Sequence, residues 1–356
     1  QALSEFVEDG FFTGHSSDWR GKGVDIAYSG AAVNGTGEGA TITVPASGEA
    51  TVGVDVTPRA TFDSYVAQNA PNGTFLDGFV RLTSKTDGQP DLTVPYMGFY
   101  GNWGKAPIFD ALASDGGAHT LASGIYNGTT GQQLGYNPLV KADARTGTPK
   151  ADRYVLSRAE ASGAPTVLEP RTGTLRSVHT LNTVYANAAG ESVASYVTHQ
   201  AWKSGVNPST GKMTWVEDGH ESTALDLRSD AYKNLPDGAY TLTLAAHNDG
   251  PSQAEQSISY NFSIDTTAPT VDTLAFSEDG DAPHVTIAVT DNKPLAGIAL
   301  QDPADGRWFY RRIFSDTEGV KGDDGKYRYE LDVPMSELSQ AWTDQGGSGD
   351  VIAHPY

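Results

Sequence analysis

Residues 78–99 read GFVRLTSKTDGQPDLTVPYMGF. Leu76, Val80 and Leu82 alternate with other positions on the way out, and Leu92, Val94 and Tyr96 alternate on the way back. A period of two places each set on one face of a strand. Asp87-Gly88 lies between the two runs, a pair suited to a turn. The stretch therefore predicts a β-hairpin. Pro95 has no N–H to give to a ladder, so the return strand is expected at a sheet edge or at a bulge.

The same pattern continues on either side. Ile42 and Val44 in TITVP, then Val52, Val54 and Val56 in TVGVDVTP, predict a hairpin that turns at Ser47-Gly48. LNTVYANAAGESVASYV predicts another, around Asn187 to Gly190. Tyr240, Leu242 and Leu244 alternate in DGAYTLTLAAHN, and Ile258, Tyr260, Phe262 and Ile264 alternate in SISYNFSID. Together they predict an antiparallel pair with one buried face. HVTIAVTDN and KYRYELDVP repeat the pattern near the C-terminus. Helical periodicity is scarce: PMSELSQAWTD, with Ser336 as its cap, predicts a short helix, and TFDSYVAQ a single turn. The expected fold is all-β and antiparallel, because no crossover helices are present.

A chain of 356 residues is expected to hold two or three domains. Glycines and a proline in YGNWGKAP mark one boundary, and the stiff polar connector DTTAPTVD, Asp265 to Asp272, marks another. The expected modules are residues 1–105, 106–267 and 268–356. Asp110 to Lys150 is rich in Gly, Thr, Asn and Ala without clean periodicity, and predicts long loops with short strands that are mobile or functional.

The formal charge is −20. Such a surface repels duplex nucleic acid and anionic lipid, and no Lys/Arg stripe offsets it. Cysteine is absent, which removes disulfides, thiol nucleophiles and Cys-based zinc sites. No apolar run is long enough to span a bilayer. The opening QALSEFVEDG has neither the basic nor the apolar part of a signal peptide, and no initiator Met. The chain reads as a piece of a larger protein, expected to be monomeric.

Catalytic chemistry is hard to find. There is no Gly-x-Ser-x-Gly. His15, Ser16, Ser17 and Asp18 are sequence neighbours, whereas a triad converges from separate elements. His220-Glu221 has no second His at helical spacing. Asp279, Asp281, Asp291, Asp323 and Asp324 are candidate calcium ligands. None has the staggered oxygens and closing Glu of an EF-hand, and Asp-Gly turns are the favoured explanation of the pattern. Trp19, Trp103, Trp202, Trp215, Trp308 and Trp342 suit either sugar stacking or module cores. RWFYRR, Arg307 to Arg312, is the one basic aromatic cluster. Arg307, Trp308, Tyr310 and Arg312 are the candidate protein contacts, since Trp, Tyr and Arg commonly anchor interfaces.

The hairpin stretch carries one further signal. Gly78, Phe79, Val80, Pro95, Tyr96, Gly98, Phe99, Gly101 and Trp103 in DGFVRLTSKTDGQPDLTVPYMGFYGNW resemble a segment of the multidomain cell-envelope proteinases of Gram-positive bacteria, the lactocepins and the streptococcal complement-cleaving peptidases. In that family the segment closes a fibronectin type III-like domain that follows the subtilisin-like catalytic domain. TLRSVHTLNTVYANAAGESV, YNFSIDTTAPTV and VTDNKPLAGIAL are similar to later parts of the same region. The resemblance implies tandem fibronectin type III-like, immunoglobulin-like β-sandwiches, the first without its opening strands and the third cut short. It implies a secreted, cell-wall-associated parent peptidase with a catalytic domain as partner, and protein substrates or host proteins as further partners. This chain lacks the family's GTSMA-type serine segment and its Asp and His motifs, so the stretch itself is expected to be non-catalytic and without a cofactor. SRAEASG, Ser157 to Gly163, stands where relatives often carry SPNGDG, whose oxygens suit a cation. The rival readings are an adhesin-type stalk that binds host proteins and an accessory region of a carbohydrate-active enzyme.

Overall fold

The structure is a computed structural model that describes residues 2–8, 11–158, 164–201, 203, 205–206, 213–214, 223–248, 255–277, 283–315, 318–338 and 352–355, with backbone alone at 2–8, 11–16, 205–206 and 213–214. The chain divides into two compact units, residues 1–106 with 250–254, and residues 107–249 with 255–356.

In the first unit the strands are β1 (Ala2–Glu8), β2 (Phe11–Ser17), β3 (Val24–Ser29), β4 (Val33–Asn34), β5 (Thr41–Ile42) and β6 (Gly53–Pro58). Helix α1 (Ala60–Asn69), β7 (Thr74–Leu82) and β8 (Leu92–Tyr100) follow. β7 and β8 form the predicted hairpin, with Leu76 opposite Gly98, Gly78 opposite Tyr96 and Leu82 opposite Leu92. They extend a sheet of order β2-β1-β7-β8, so the strand that contains Pro95 is an edge, as its missing N–H requires.

TFDSYVAQ forms more than a turn. α1 places Phe62 and Val66 four residues apart on one buried face. It stops at Ala70, whose N–H still reaches the Val66 carbonyl, because the following Pro71 disfavours helical geometry before it. Phe62, Val66 and Val24 form the buried core, with Trp19, Val56, Tyr65, Leu76 and Tyr100 packed around them. The expected 41–58 hairpin does not form. β5 pairs with β4, and β6 pairs with β3, from Val24 opposite Pro58 to Ser29 opposite Gly53. Alternation read the strand correctly but could not choose between two possible partners.

The hairpin's burial differs along its length. Leu76 and Tyr100, at the base, join the core. Towards the tip, Phe79, Leu92, Val94 and Met97 are 60%, 57%, 55% and 72% exposed. Tyr96 is half-buried, not a core residue. Its ring lies across the bare Cα of Gly78, where an added Cβ would come within 2.5 Å of the phenol oxygen. Gly78 is in the strand because Tyr96 occupies the space a side chain would fill.

The second unit holds two pairs of sheets. The first pair uses β9 (Gly124–Asn127), β10 (Val155–Leu156), β11 (Val167–Arg171), β12 (Val178–Asn187), β13 (Ser192–Ala201), β14 (Gly205–Val206), β15 (Met213–Thr214), β16 (Leu225–Asp226), β17 (Gly238–His247) and β18 (Gln256–Ile264). A five-stranded sheet, β10-β18-β17-β12-β13, faces a three-stranded one, β16-β11-β9, while β14 and β15 pair with each other. Ile125, Leu168 and Leu225 from the small sheet meet Leu181, Tyr185, Leu242 and Phe262 from the large one in a single core. The predicted hairpin β12–β13 and the antiparallel pair β17–β18 are both present. One pairing breaks the antiparallel rule: β10 lies parallel to the end of β18.

The second pair uses β19 (Thr270–Ser277), β20 (His284–Asp291), β21 (Gly297–Gln301), β22 (Trp308–Ile313), β23 (Val320–Lys321), β24 (Tyr327–Pro334) and β25 (Ile352–Pro355). The sheets are β19-β20-β24-β23 and β22-β21-β25. Ile287, Ile298, Phe314, Tyr329 and Leu331 lie in their shared core, which is separate from the preceding one. The fold is thus nearly all-β, built of antiparallel sandwiches. Of the predicted helix near Ser336, a turn at residues 335–338 is described.

Asp110 to Lys150 is not a loose loop. Ile108, Ile125 and Leu134 are buried in the first core of this unit. The Asp110 carboxylate accepts N–H groups from Ala111 (2.8 Å), His119 (2.9 Å), Thr120 (2.6 Å) and Leu121 (3.2 Å). Gly173 passes so close to this loop that a Cβ there would stand 1.7 Å from the Leu121 carbonyl oxygen. The segment has few periodic apolar residues because its order comes from such point contacts, which leave no pattern in sequence.

Candidate functional site

The basic aromatic strand β22 alternates as its sequence suggests. Phe309 points into the core, while Trp308 is 52% exposed and meets the His354 ring edge-on at 4.9 Å. Tyr310 is half-buried. The flanking arginines are already engaged. Arg307 Nε donates to Asp305 at 2.5 Å, and Arg312 Nη2 donates to Glu318 at 2.5 Å. The second Glu318 oxygen accepts the Ser315 N–H, also at 2.5 Å. The guanidinium charges of Arg307 and Arg312 are thus matched locally. Exposed pairs of this kind contribute at most about 1 kcal/mol.

The candidate calcium ligands are not gathered. Asp324 is held by Arg328, whose Nη2 reaches it at 2.6 Å, and by the Lys326 N–H. These contacts bring its carboxyl down to about 2. Asp323 is exposed. Asp291 is buried at the end of β20, where desolvation pushes its carboxyl up despite the Lys293 N–H that it accepts at 2.7 Å. Among the described residues, no group of three or more His, Cys, Asp or Glu is placed to hold a metal. Asp279 and Asp281 lie outside the described residues, as do His220, Glu221, Trp202, Trp215 and Trp342. Asp18 is bonded to Arg20 (Nη2 to Oδ2, 2.8 Å).

The remaining tryptophans are divided between cores and surface. Trp19 packs edge-on to Phe62 at 5.1 Å, and Trp103 stacks edge-on to Phe99 at 4.9 Å and Phe75 at 5.9 Å. No row of exposed rings is formed by them.

Three polar anchors of the second unit were not legible as such. Asp110 gathers its own loop. Asp237 accepts Arg158 Nη2 at 2.6 Å and both the N–H and hydroxyl of Thr266, at 2.7 and 2.6 Å. Thr266 belongs to the DTTAPTVD connector, so that connector is pinned at its start. Arg158 stands in the stretch where relatives were expected to carry cation-binding oxygens; residues 159–163 of that stretch lie outside the described residues. Asn137 is the third anchor, buried between the two sandwiches of its unit. A buried Asn or Asp with several backbone partners is a signal only once its neighbours in space are known.

Residues 6–97 match the family model of the Fn3-like domain. A PII-type proteinase of Lacticaseibacillus paracasei is 25% identical over 262 residues, which is 71% of this chain and 13% of the relative. A PII-type proteinase of Lactococcus lactis subsp. cremoris is 25% identical over 270 residues, with the same coverage, and a PI-type proteinase of that organism over 260. The chain therefore spans about an eighth of the length of the curated relatives it matches. A crystal structure of a tetra-tandem repeat in the extending region of a large adhesion protein overlaps 96% of this chain and 68% of its own. Its identity is 13% and its TM-score 0.24, too loose a superposition to bear on fold or function. Residues 6–97 are thus similar to an Fn3-like domain, in a chain whose sequence is similar over most of its length to the cell-envelope proteinases, the lactocepins.

Proposed function

We propose that this chain is a non-catalytic accessory region of a secreted, cell-wall-associated, subtilisin-like serine endopeptidase. It spaces and braces the catalytic domain and takes part in the choice of protein substrates. The observation that carries this reading is the proteinase similarity, which covers 71% of the chain yet only 13% of the relatives. The chain matches a part of those proteins, and its sequence has no stretch like their expected serine segment. The sandwiches supply rigid bodies for the spacing role, and β22 with the exposed hairpin tip supplies surfaces for protein contact. The reading needs no cofactor.

The test pairs this chain with the separately expressed catalytic domain of its parent. Cleavage of a large protein and of a short peptide is measured with and without the chain. Binding, with faster protein cleavage and unchanged peptide cleavage, is the expected result. No binding and no change in either rate would remove the bracing and substrate-selection roles.

A second reading, a stalk that binds host proteins, draws on one feature, the exposed Phe79 and Met97, which share one face of the β7–β8 hairpin. Exposed apolar patches often mark interaction sites. Capture of host matrix proteins by the chain, lost when Phe79 and Met97 are changed to Ser, would support it.

A further inference from the structure

The two sandwiches of the second unit have separate hydrophobic cores. One segment that crosses between them, Asn137-Pro138-Leu139, leaves the first sandwich and seats itself on the second. The Asn137 side chain is 1% exposed. Its Nδ2 donates to the Ala296 carbonyl at 2.8 Å and to the Phe314 carbonyl at 2.7 Å. Its Oδ1 accepts the Leu139 N–H at 2.9 Å, which sets the turn that aims the amide. Both donor hydrogens and the acceptor are therefore used, as burial of an amide demands. Ala296 and Phe314 flank β21 and β22, and the Phe314 N–H also donates to the Ala296 carbonyl at 3.0 Å. Asn137 thus closes onto the mouth of a hairpin.

Two further contacts bear on the same junction. Leu139 also approaches β21: an ideal Cβ on Gly297 would stand 3.3 Å from its methyl, although the Arg312 carbonyl oxygen of the neighbouring strand, at 2.4 Å, lies nearer. The Tyr327 hydroxyl donates to Asp152 Oδ2 at 2.8 Å, from the second sandwich to the segment just before β10. Burial, and then that bond, push the Tyr327 phenol up to about 12.

We infer that Asn137 is a clasp that fixes the two sandwiches of residues 107–356 as one rigid, cooperatively unfolding body, so that this part of the chain acts as a strut and not as jointed beads. Neither core depends on the other for its apolar contacts. An interface without shared core gains its order from a few satisfied polar groups, and an unpaired buried carbonyl is costly. The inference stands whether or not the chain serves a peptidase.

The absence of cysteine makes the test direct. Ser195 and Glu330 are exposed and lie on different sandwiches. Spin labels on Ser195→Cys and Glu330→Cys in the whole chain report the distance distribution between them by pulsed electron resonance. The clasped protein is expected to give one narrow distribution, and calorimetry one transition for residues 107–356. Asn137→Ala is expected to broaden the distribution and split that transition in two, each part still cooperative. Asn137→Asp replaces the two donors with a carboxylate facing two carbonyls and should do the same more strongly near neutral pH, with partial recovery in acid as the carboxyl regains a proton. If Asn137→Ala costs too much to fold, Tyr327→Phe provides a milder variant, expected to broaden the distribution slightly with both cores intact. A broad distribution in the unaltered chain, or a narrow one retained in both Asn137 variants, overturns the inference.

Discussion

The two compact units use the same alternating strands but differ in how much of the alternation is buried. Among the described residues, the first unit has three buried core residues, Val24, Phe62 and Val66. The second has two cores, one around Tyr185, Leu242 and Leu244 and one around Ile287, Phe314 and Tyr329. Among the described residues of the first unit, helix α1, Val24 of β3 and the base of one hairpin supply the core, and the rest of that hairpin presents apolar side chains to solvent. In the second, sheets face sheets along their length. Period-two patterning shows that a strand has two faces; it does not show that either face is covered.

Gly173→Ala should give the largest effect, because the new Cβ would stand 1.7 Å from a backbone carbonyl that cannot give way without opening the Asp110 loop. A loss of about 5 kcal/mol or more is expected from such strain in a packed interior, read as loss of the second unit's cooperative transition in urea. If the variant melts like the parent, the close approach of the loop to Gly173 is wrong. Phe62→Ala should cost about 3–5 kcal/mol, since the ring is fully buried. The first unit should unfold in that variant while the second unit's transition stays in place. A shift shared by both units would blur the contrast between them.

Asp110 supplies a comparison by pH. Desolvation raises its carboxyl, and the four backbone N–H groups together bring it below its ordinary value. A carboxyl with a lowered folded-state value stabilises the fold above the unfolded value, and that stability is lost as pH falls through the folded one. The second unit should therefore weaken below about pH 4, where unfolded carboxyls take up protons. Asp110→Asn should remove Asp110's share of this acid sensitivity, leaving that of Asp226, Asp237, Asp305, Glu318 and Asp324, whose carboxyls are also lowered, and cost about 3 kcal/mol near neutral pH, because an amide turns donors towards donors. Urea titrations at pH 7 and pH 3 on both proteins measure this.

Tyr96→Ala should have the smallest effect. A fully buried ring at that place would have cost about 3–5 kcal/mol. Half-buried across Gly78, it should cost about 1–2 kcal/mol, read as a shift of the first unit's melting temperature. A larger loss would mean that the hairpin tip is covered in solution.

Much of the fold was legible because strands with long alternating runs declare themselves. The hairpins at Asn187–Gly190 and Asp87-Gly88 and the β17–β18 pair follow from residues alone. The partner of β6 did not, because Val24 to Ser29 lies some thirty positions away and competes with a nearer candidate on equal terms. Nor did the order of residues 110–150. Asp110, Asn137 and Gly173 act one at a time, through backbone groups brought close only by folding. Of the candidate site, the alternation of Trp308, Phe309 and Tyr310 was legible. The carboxylates that engage Arg307 and Arg312 were visible as neighbours, but their pairing was not.

The parallel pairing of β10 with the end of β18 has a mechanical consequence. Val155 and Leu156 lie beside Ser263 and Ile264, and the ladder is extended by the Ser263 N–H on Tyr154 and the Asp265 N–H on Leu156. A chain pulled from before Val155 and from beyond Asp265 draws these two segments past each other along their own axes. Every bond between them is then loaded at once, as in a lap joint, instead of opening one after another like a zip. Such a joint resists tension applied across it.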